Sequence, residues 1–149
     1  LVVADTIFIS VDELDVLYRD LKMKLQDVLQ KSTYSIEPGR YCVAKVTDSF
    51  DCVNCFMVSK DDFETTVICK EEMMQESYLE IKKDYHLIGI NVACPFYSPG
   101  FIAAISGKMA LRDIPVLVVS TFSKDYFIIQ GKDMDNAVLV LADLGIKRN

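Results

Sequence analysis

Nowhere in these 149 residues is there a glycine-rich phosphate loop, a GxSxG turn or a dinucleotide fingerprint, and the six glycines are scattered. Their absence excludes the common phosphate-cradling and serine-hydrolase chemistries. Histidine is nearly missing as well. His86 stands alone at the start of an apolar segment. A catalytic role would need an ordered base–nucleophile pair, and nothing around His86 or Cys94 supplies one, so it reads as a packing residue. Cys52-Val-Asn-Cys55 has the spacing of a redox pair or half a zinc site. No second CxxC or paired histidine completes four ligands, so neither metal nor cofactor is expected. Basic residues are outnumbered, 16 to 22, giving a formal charge of −6. That balance and their scatter exclude a nucleic-acid surface. The acidic pairs Asp61-Asp62 and Glu71-Glu72 read as solvated turns, without the buried spacing of acid–base catalysis. No catalytic residue is therefore expected.

An apolar content of 51% excludes disorder and fits one domain, or two small ones sharing a core. The chain starts at Leu1 instead of Met, which fits a processed protein, and no targeting segment is visible. Five cysteines, irregularly spaced, read as reduced thiols in a cytoplasmic setting.

From Tyr85 to Gly107 no Asp, Glu, Lys or Arg occurs over 23 residues. Crossing a bilayer takes about 20 continuous apolar residues in one helix, and here Asn91, Pro95, Ser98, Pro99 and Gly100 interrupt them. The stretch divides instead into a strand to about Ala93, a loop, and a helix with Ser98 as N-cap and Pro99 as its first residue.

Elsewhere, Ser10 and Glu13 form a capping box for a helix whose Leu14, Leu17, Tyr18, Leu21, Leu25, Val28 and Leu29 share one face. That helix is expected to cover a sheet. A turn at Pro38-Gly39 leads into a strand with Tyr41 and Val43 on one face. "CFMVSK" and "TTVICK" form a hairpin, "KEEMMQES" a short helix or turn, and "HLIGINV" a further strand. "IPVLVVST" is continuously apolar, hence a central strand buried on both faces. "KDYFIIQ" follows as a strand, then a helix with Ala137, Val138, Leu141 and Leu144 inward, stopped by Gly145. The second half thus reads β-α-β-β-α, a ferredoxin-like order lacking its last strand. "IKRN" is too short to supply it, and residues 78–83 or the N-terminal "LVVADTIFI" are candidates for that edge.

The run "NVACPFYSPGFIAAISGKMALRDIPVLVVSTFSKDYFII" resembles the ACT domain, a small ligand-binding regulatory module. More narrowly it is similar to the paired-ACT proteins of the aspartate-kinase-like and CASTOR-type amino-acid-sensor group. "SPGF" at the strand-to-helix turn, "IPVLVVST" and "STFSKDYFII" carry the likeness. "PGRYCVAKV … FMVSKDDFETTVIC" is similar to that group's degenerate first unit. The resemblance covers residues 36–146. It implies an α+β fold of ferredoxin-like (ACT) units, with antiparallel sheets and helices packed on one face, plus an N-terminal helix. The implied divisions are 1–32 as an extension, 33–84 as a degenerate first unit and 85–149 as a second.

The implied function is non-catalytic regulation through a small amino acid bound at an ACT–ACT interface, within a homodimer or against a partner protein, with no nucleic acid or membrane. A helix start offers free N–H groups to a carboxylate, and Gly100 lets a ligand approach the backbone. Two or three charge-assisted hydrogen bonds, at about 1.5–3 kcal/mol each, supply much of the roughly 8 kcal/mol of micromolar binding. The expected ligand-binding residues are Ser98, Pro99, Gly100, Phe101 and Ile102, with Ile114, Pro115 and Val116 as lining. Many ACT domains carry Asp where Ser98 stands, and Asp125 is a further candidate for a ligand's basic group. Two alternatives stand beside this reading. One is an interaction module whose pocket is plugged by Phe96, Tyr97 and Phe101. The other is a thiol-redox protein using Cys52 and Cys55.

Overall fold

The computed structural model describes Val16, Arg19 and residues 24–93 and 98–149. The capping box at Ser10 and Glu13, the N-terminal "LVVADTIFI", and Cys94, Pro95, Phe96 and Tyr97 lie outside the described residues. The chain runs from a helix at residues 24–31 (α1) through β1 (Thr33–Ile36), β2 (Tyr41–Val46), β3 (Cys55–Lys60) and β4 (Thr65–Lys70). A 3₁₀ turn at Glu71–Met73 leads into the long β5 (Tyr78–Asn91). Then come α2 (Phe101–Ala110), β6 (Val116–Ser120), β7 (Asp125–Gln130), a 3₁₀ turn at Gly131–Asp133, α3 (Met134–Asp143) and β8 (Lys147–Arg148). Among the described residues no helix is long and apolar enough to cross a membrane.

One eight-stranded sheet is shared by two ferredoxin-like units, and β5 joins them. Its first part, from Tyr78 to Tyr85, pairs antiparallel with β2, while Tyr85 to Ile90 pair with β7. The exchange of partners happens beside Asp84, which takes a positive φ of 64°. Its N–H donates to Glu71 Oε1 at 2.7 Å, so the turn after β4 holds the kink. Around this point the two units repeat one another. In the first, β5 lies beside β2, β2 beside β4 and β4 beside β3. In the second, β5 lies beside β7 and β7 beside β6, and each unit's second hairpin strand ends in a 3₁₀ turn. Where the second unit has α2, the first has only the loop 47–54.

Strand alternation assigns the two faces. On β5 and β7, Ile88, Ile90, Phe127 and Ile129 point to the helix side, where Leu29, Phe101, Ile105, Met109, Ala137, Val140 and Leu141 meet them. Leu87, Tyr126 and Ile128 point the other way, onto Tyr41 and Ile68 of the first unit. All the described helices contribute to the one helix-side cluster. Leu25 and Val28 of α1 pack against it, while Leu14, Leu17, Tyr18 and Leu21 of the expected stripe lie outside the described residues.

Three expectations change. Among the described residues "IPVLVVST" is an edge strand, since β6 pairs there with β7 alone and leaves Leu117 about half exposed (47%). The strand buried on both faces is β7, which lies between β5 and β6. The place beside β5 is taken by residues 33–36 rather than by 78–83, and Lys147–Arg148 of "IKRN" add a two-residue outer strand, since β1 pairs with the last part of β5 and with β8. The cysteines are not all reduced thiols. Cys55 and Cys69 are direct partners across β3 and β4, with Cα atoms 4.4 Å apart, and form a disulfide. Cys52 is therefore not the partner of Cys55, as a CxxC redox pair would require.

Candidate functional site

The loop after β5 and the start of α2 face the turn between β6 and β7. Between them lies a cleft of about 400 Å³ lined by Val92, residues 98–103 and residues 120–125. This size falls within the range of roughly 300–1,000 Å³ usual for small-molecule sites.

One wall is the helix start. Gly100, at a φ of 81°, occupies the N-cap position expected for Ser98, and α2 begins at Phe101 instead of Pro99. The difference has a local cause. The Phe101 N–H bonds back to the Ser98 carbonyl at 3.2 Å, closing a turn over Pro99-Gly100 before the first helical bond, Ala104 N–H to Gly100 O at 2.8 Å. A glycine accepts the left-handed φ that this turn imposes. The N–H groups of Ile102 and Ala103 stand ahead of any carbonyl four residues back within α2, so they have no intrahelical acceptor. No acidic residue occupies the first turn of α2, so its positive dipole end is not neutralised locally.

The opposite wall is a four-residue turn. Thr121 N–H donates to Lys124 O at 2.8 Å, and Ser120 Oγ donates to Asp125 Oδ1 at 2.5 Å. This holds a half-buried lysine and a half-buried carboxylate side by side on the cleft. The loop that carries Ser98 is anchored at its other end. Buried Ser32, at the end of α1, accepts from Ala93 N–H at 3.0 Å and donates to Val28 O at 2.7 Å.

Of the residues singled out from sequence, Ser98, Pro99, Gly100, Phe101 and Ile102 come together on this cleft. Ile114, Pro115 and Val116 do not. Ile114 is buried in the helix-side core, and Val116 opens β6 opposite Ile129. Because α2 has ten residues, it carries the chain about 15 Å from the cleft before β6 begins. The end of β6, not its start, returns to the helix N-terminus. Phe101 is only 3% exposed and packs in the core, so its ring is largely committed there. Phe96 and Tyr97 lie outside the described residues. Lys124 is the residue that sequence reasoning passed over, and its signal was its place in the "STFSKD" turn.

The first unit has a cleft in the corresponding place, of about 600 Å³, lined by residues 45–48 and 60–65 and by Leu79. Its chemistry differs. Lys45 pairs with Glu64 at 2.9 Å and Lys60 with Asp48 at 3.1 Å, so its cations already have partners. Hydrogen bonding and charge from Glu64 push the Lys45 ammonium above its ordinary pKa. With a loop in place of α2, no helix N-terminus faces this cleft among the described residues.

Residues 80–143 match the ACT domain family. No curated protein matches the sequence. Among solved structures, the chain is similar to a protein of unknown function from Vibrio cholerae, named as a possible transport protein. That likeness has 18% identity and a TM-score of 0.71, and covers 84% of this chain and 98% of that one. A protein from Agrobacterium tumefaciens is similar at 18% identity and a TM-score of 0.69, over 79% of this chain and 92% of that one. The ligand-free regulatory subunit of aspartate kinase from Thermus thermophilus has 9% identity and a TM-score of 0.57, over 74% of this chain and 96% of that one. At these identities the likeness is one of fold.

Proposed function

We propose that this chain, which carries an ACT domain at residues 80–143, is a non-catalytic regulatory protein that binds a small amino acid between α2 and the β6–β7 turn. The observation that carries this reading is the pairing of opposite charges on one cleft. A helix N-terminus and Lys124 suit a carboxylate, while Asp125 suits an ammonium group. A zwitterion satisfies all three. Val92, Ile102 and Ala103 supply apolar lining, which favours a short aliphatic side chain over a charged one.

In this reading residues 33–84 are a reduced first unit that lends β1 to the sheet of the second, and 85–149 are the ligand-binding unit, in a cytoplasmic protein. Ser98, Pro99, Gly100, Phe101 and Ile102 shape the carboxylate end of the site. Binding draws the β6–β7 turn toward α2. The edge of β6 that no described residue pairs with is the natural route to a second copy or a partner protein. A coupling of about 1–3 kcal/mol through that edge is enough for regulation.

Calorimetry and thermal shift against the standard amino acids test the idea. One or a few small aliphatic amino acids are expected to release heat and raise Tm. Replacing Lys124 by Ala or Asp125 by Asn removes one charge-assisted bond, worth about 1.5–3 kcal/mol, and weakens binding roughly 10- to 150-fold. Uniform absence of heat and of stabilisation would sink the proposal.

A further inference from the structure

Four cysteines converge on a side of the first unit's sheet over which no helix packs among the described residues. Cys42, Cys52, Cys55 and Cys69 belong to one apolar cluster with Ala44, Val46, Phe50 and Val67. Cys69 on β4 has Cys42 directly opposite on β2 and Cys55 directly opposite on β3. Its disulfide is made to Cys55. Cys52 lies three residues before Cys55, in a turn closed by Cys55 N–H donating to Cys52 O at 3.0 Å. Such a turn holds its end Cα atoms within about 7 Å, close to the 4.4–6.8 Å that a disulfide spans.

The two remaining thiols differ in access. Cys52 is half-exposed, with its thiol near Phe50 O at 3.6 Å. Cys42 is fully buried, its thiol directed at Cys69 O at 3.5 Å, and burial pushes its pKa up. A thiol held neutral in an apolar environment is a poor nucleophile.

We infer that these residues form a thiol–disulfide exchange centre in which Cys52 is the attacking thiol and Cys55 the shared sulfur. Cys52 loses its proton and attacks Cys55 Sγ. The Cys52–Cys55 bond forms as the Cys55–Cys69 bond breaks, and the electron pair leaves on Cys69, which takes up a proton from solvent. One disulfide and one thiol stand on each side of the step, so no oxidant is needed. Cys42 is a spectator. The exchange has a structural consequence because, among the described residues, β3 is an edge strand paired only with β4. It replaces a cross-strand staple by a local CxxC loop and leaves β3 attached by its ladder alone. This inference does not depend on the cleft or its ligand.

The test uses the full chain carrying Cys94→Ser, so that thiol signals come from this cluster alone. The protein is purified without reductant, incubated at mildly alkaline pH and quenched with excess N-ethylmaleimide. Unreduced peptides are then mapped by mass spectrometry. Two populations are expected: a 55–69 disulfide with Cys52 alkylated, and a 52–55 disulfide with Cys69 alkylated, both with Cys42 unmodified. Adding Cys52→Ser should leave only the 55–69 disulfide and abolish alkylation at Cys69, with circular dichroism unchanged. Finding only the first population after long incubation overturns the inference, as does a disulfide to Cys42 or a cluster with no disulfide. Should Cys52→Ser misfold, the two-population map of the parent decides alone.

Discussion

Gly100 and Gly89 show how differently two glycines can be required. At Gly100 the backbone is left-handed, and an added Cβ would meet Leu25 Cδ2 at 3.6 Å, an ordinary contact. Gly100→Ala therefore costs only the conformational strain, about 1–2 kcal/mol. Urea unfolding should show a lower midpoint with an unchanged slope, and a midpoint equal to the parent's would mean that the turn over Pro99 is not needed. At Gly89 the requirement is space, since an added Cβ would stand 3.0 Å from the Tyr126 ring and 3.4 Å from Glu37 Oε1. The Pro-Gly pair was legible in the sequence as a helix start. Its cap was not, because Ser98 and Gly100 are both acceptable N-caps and only the backbone path after β5 selects between them.

The hairpins carry a clear sequence signal and a clear pH dependence. In the β3–β4 turn, Asp61 accepts from the N–H groups of Phe63 and Glu64, both at 2.8 Å. These bonds, to Phe63 first and then to Glu64, hold its carboxyl below the usual carboxylate range. The unfolded chain titrates near the ordinary value of about 3.9. The stabilisation is therefore fully present above that pH and disappears as pH falls through the lower folded value. Backbone NMR should show Phe63 and Glu64 amide signals moving together in acid as the Asp61 carboxyl titrates, below the ordinary aspartate value of about 3.9. Titration of Asp61 at the ordinary position would refute the assignment. Edge and centre are a different matter. β6 and β7 are similarly apolar, and which one has neighbours on both sides depends on β5, more than 20 residues away in sequence.

At the scale of the whole molecule, aromatic rings span the two units. Phe56 of β3 meets Tyr126 of β7 edge-on at 4.7 Å and Tyr41 of β2 at 6.2 Å. Burial first, and then the nearby charge of Glu37, raise both tyrosine pKa values, with Tyr126 adding to the effect on Tyr41. Unfolded tyrosine titrates near 10. A raised folded value means that this contribution is intact below about pH 10 and is lost as pH rises through the folded values. Ultraviolet titration should show two late-ionising tyrosines whose ionisation coincides with separation of the units, and Glu37→Gln should move both to lower pH. Seven tyrosines ionising together would contradict it.

Periodicity by itself read the second half as β-α-β-β-α, and the resemblance to the ACT domain implied the paired units. Local patterns of alternation, turn residues and glycine placement specify the hairpins, the helix before β1 and the helix start at residues 98–102, because each is decided by neighbours within a few residues. Tertiary structure decided what depends on distant partners. Among the described residues it gave β6 a single partner, inserted residues 33–36 between β5 and β8, joined Cys55 to Cys69, and placed Lys124 instead of Ile114 on the cleft that Gly100 lines. Each of those outcomes follows from strand order and from the length of α2, which set where chain segments return, and a local pattern carries no record of that.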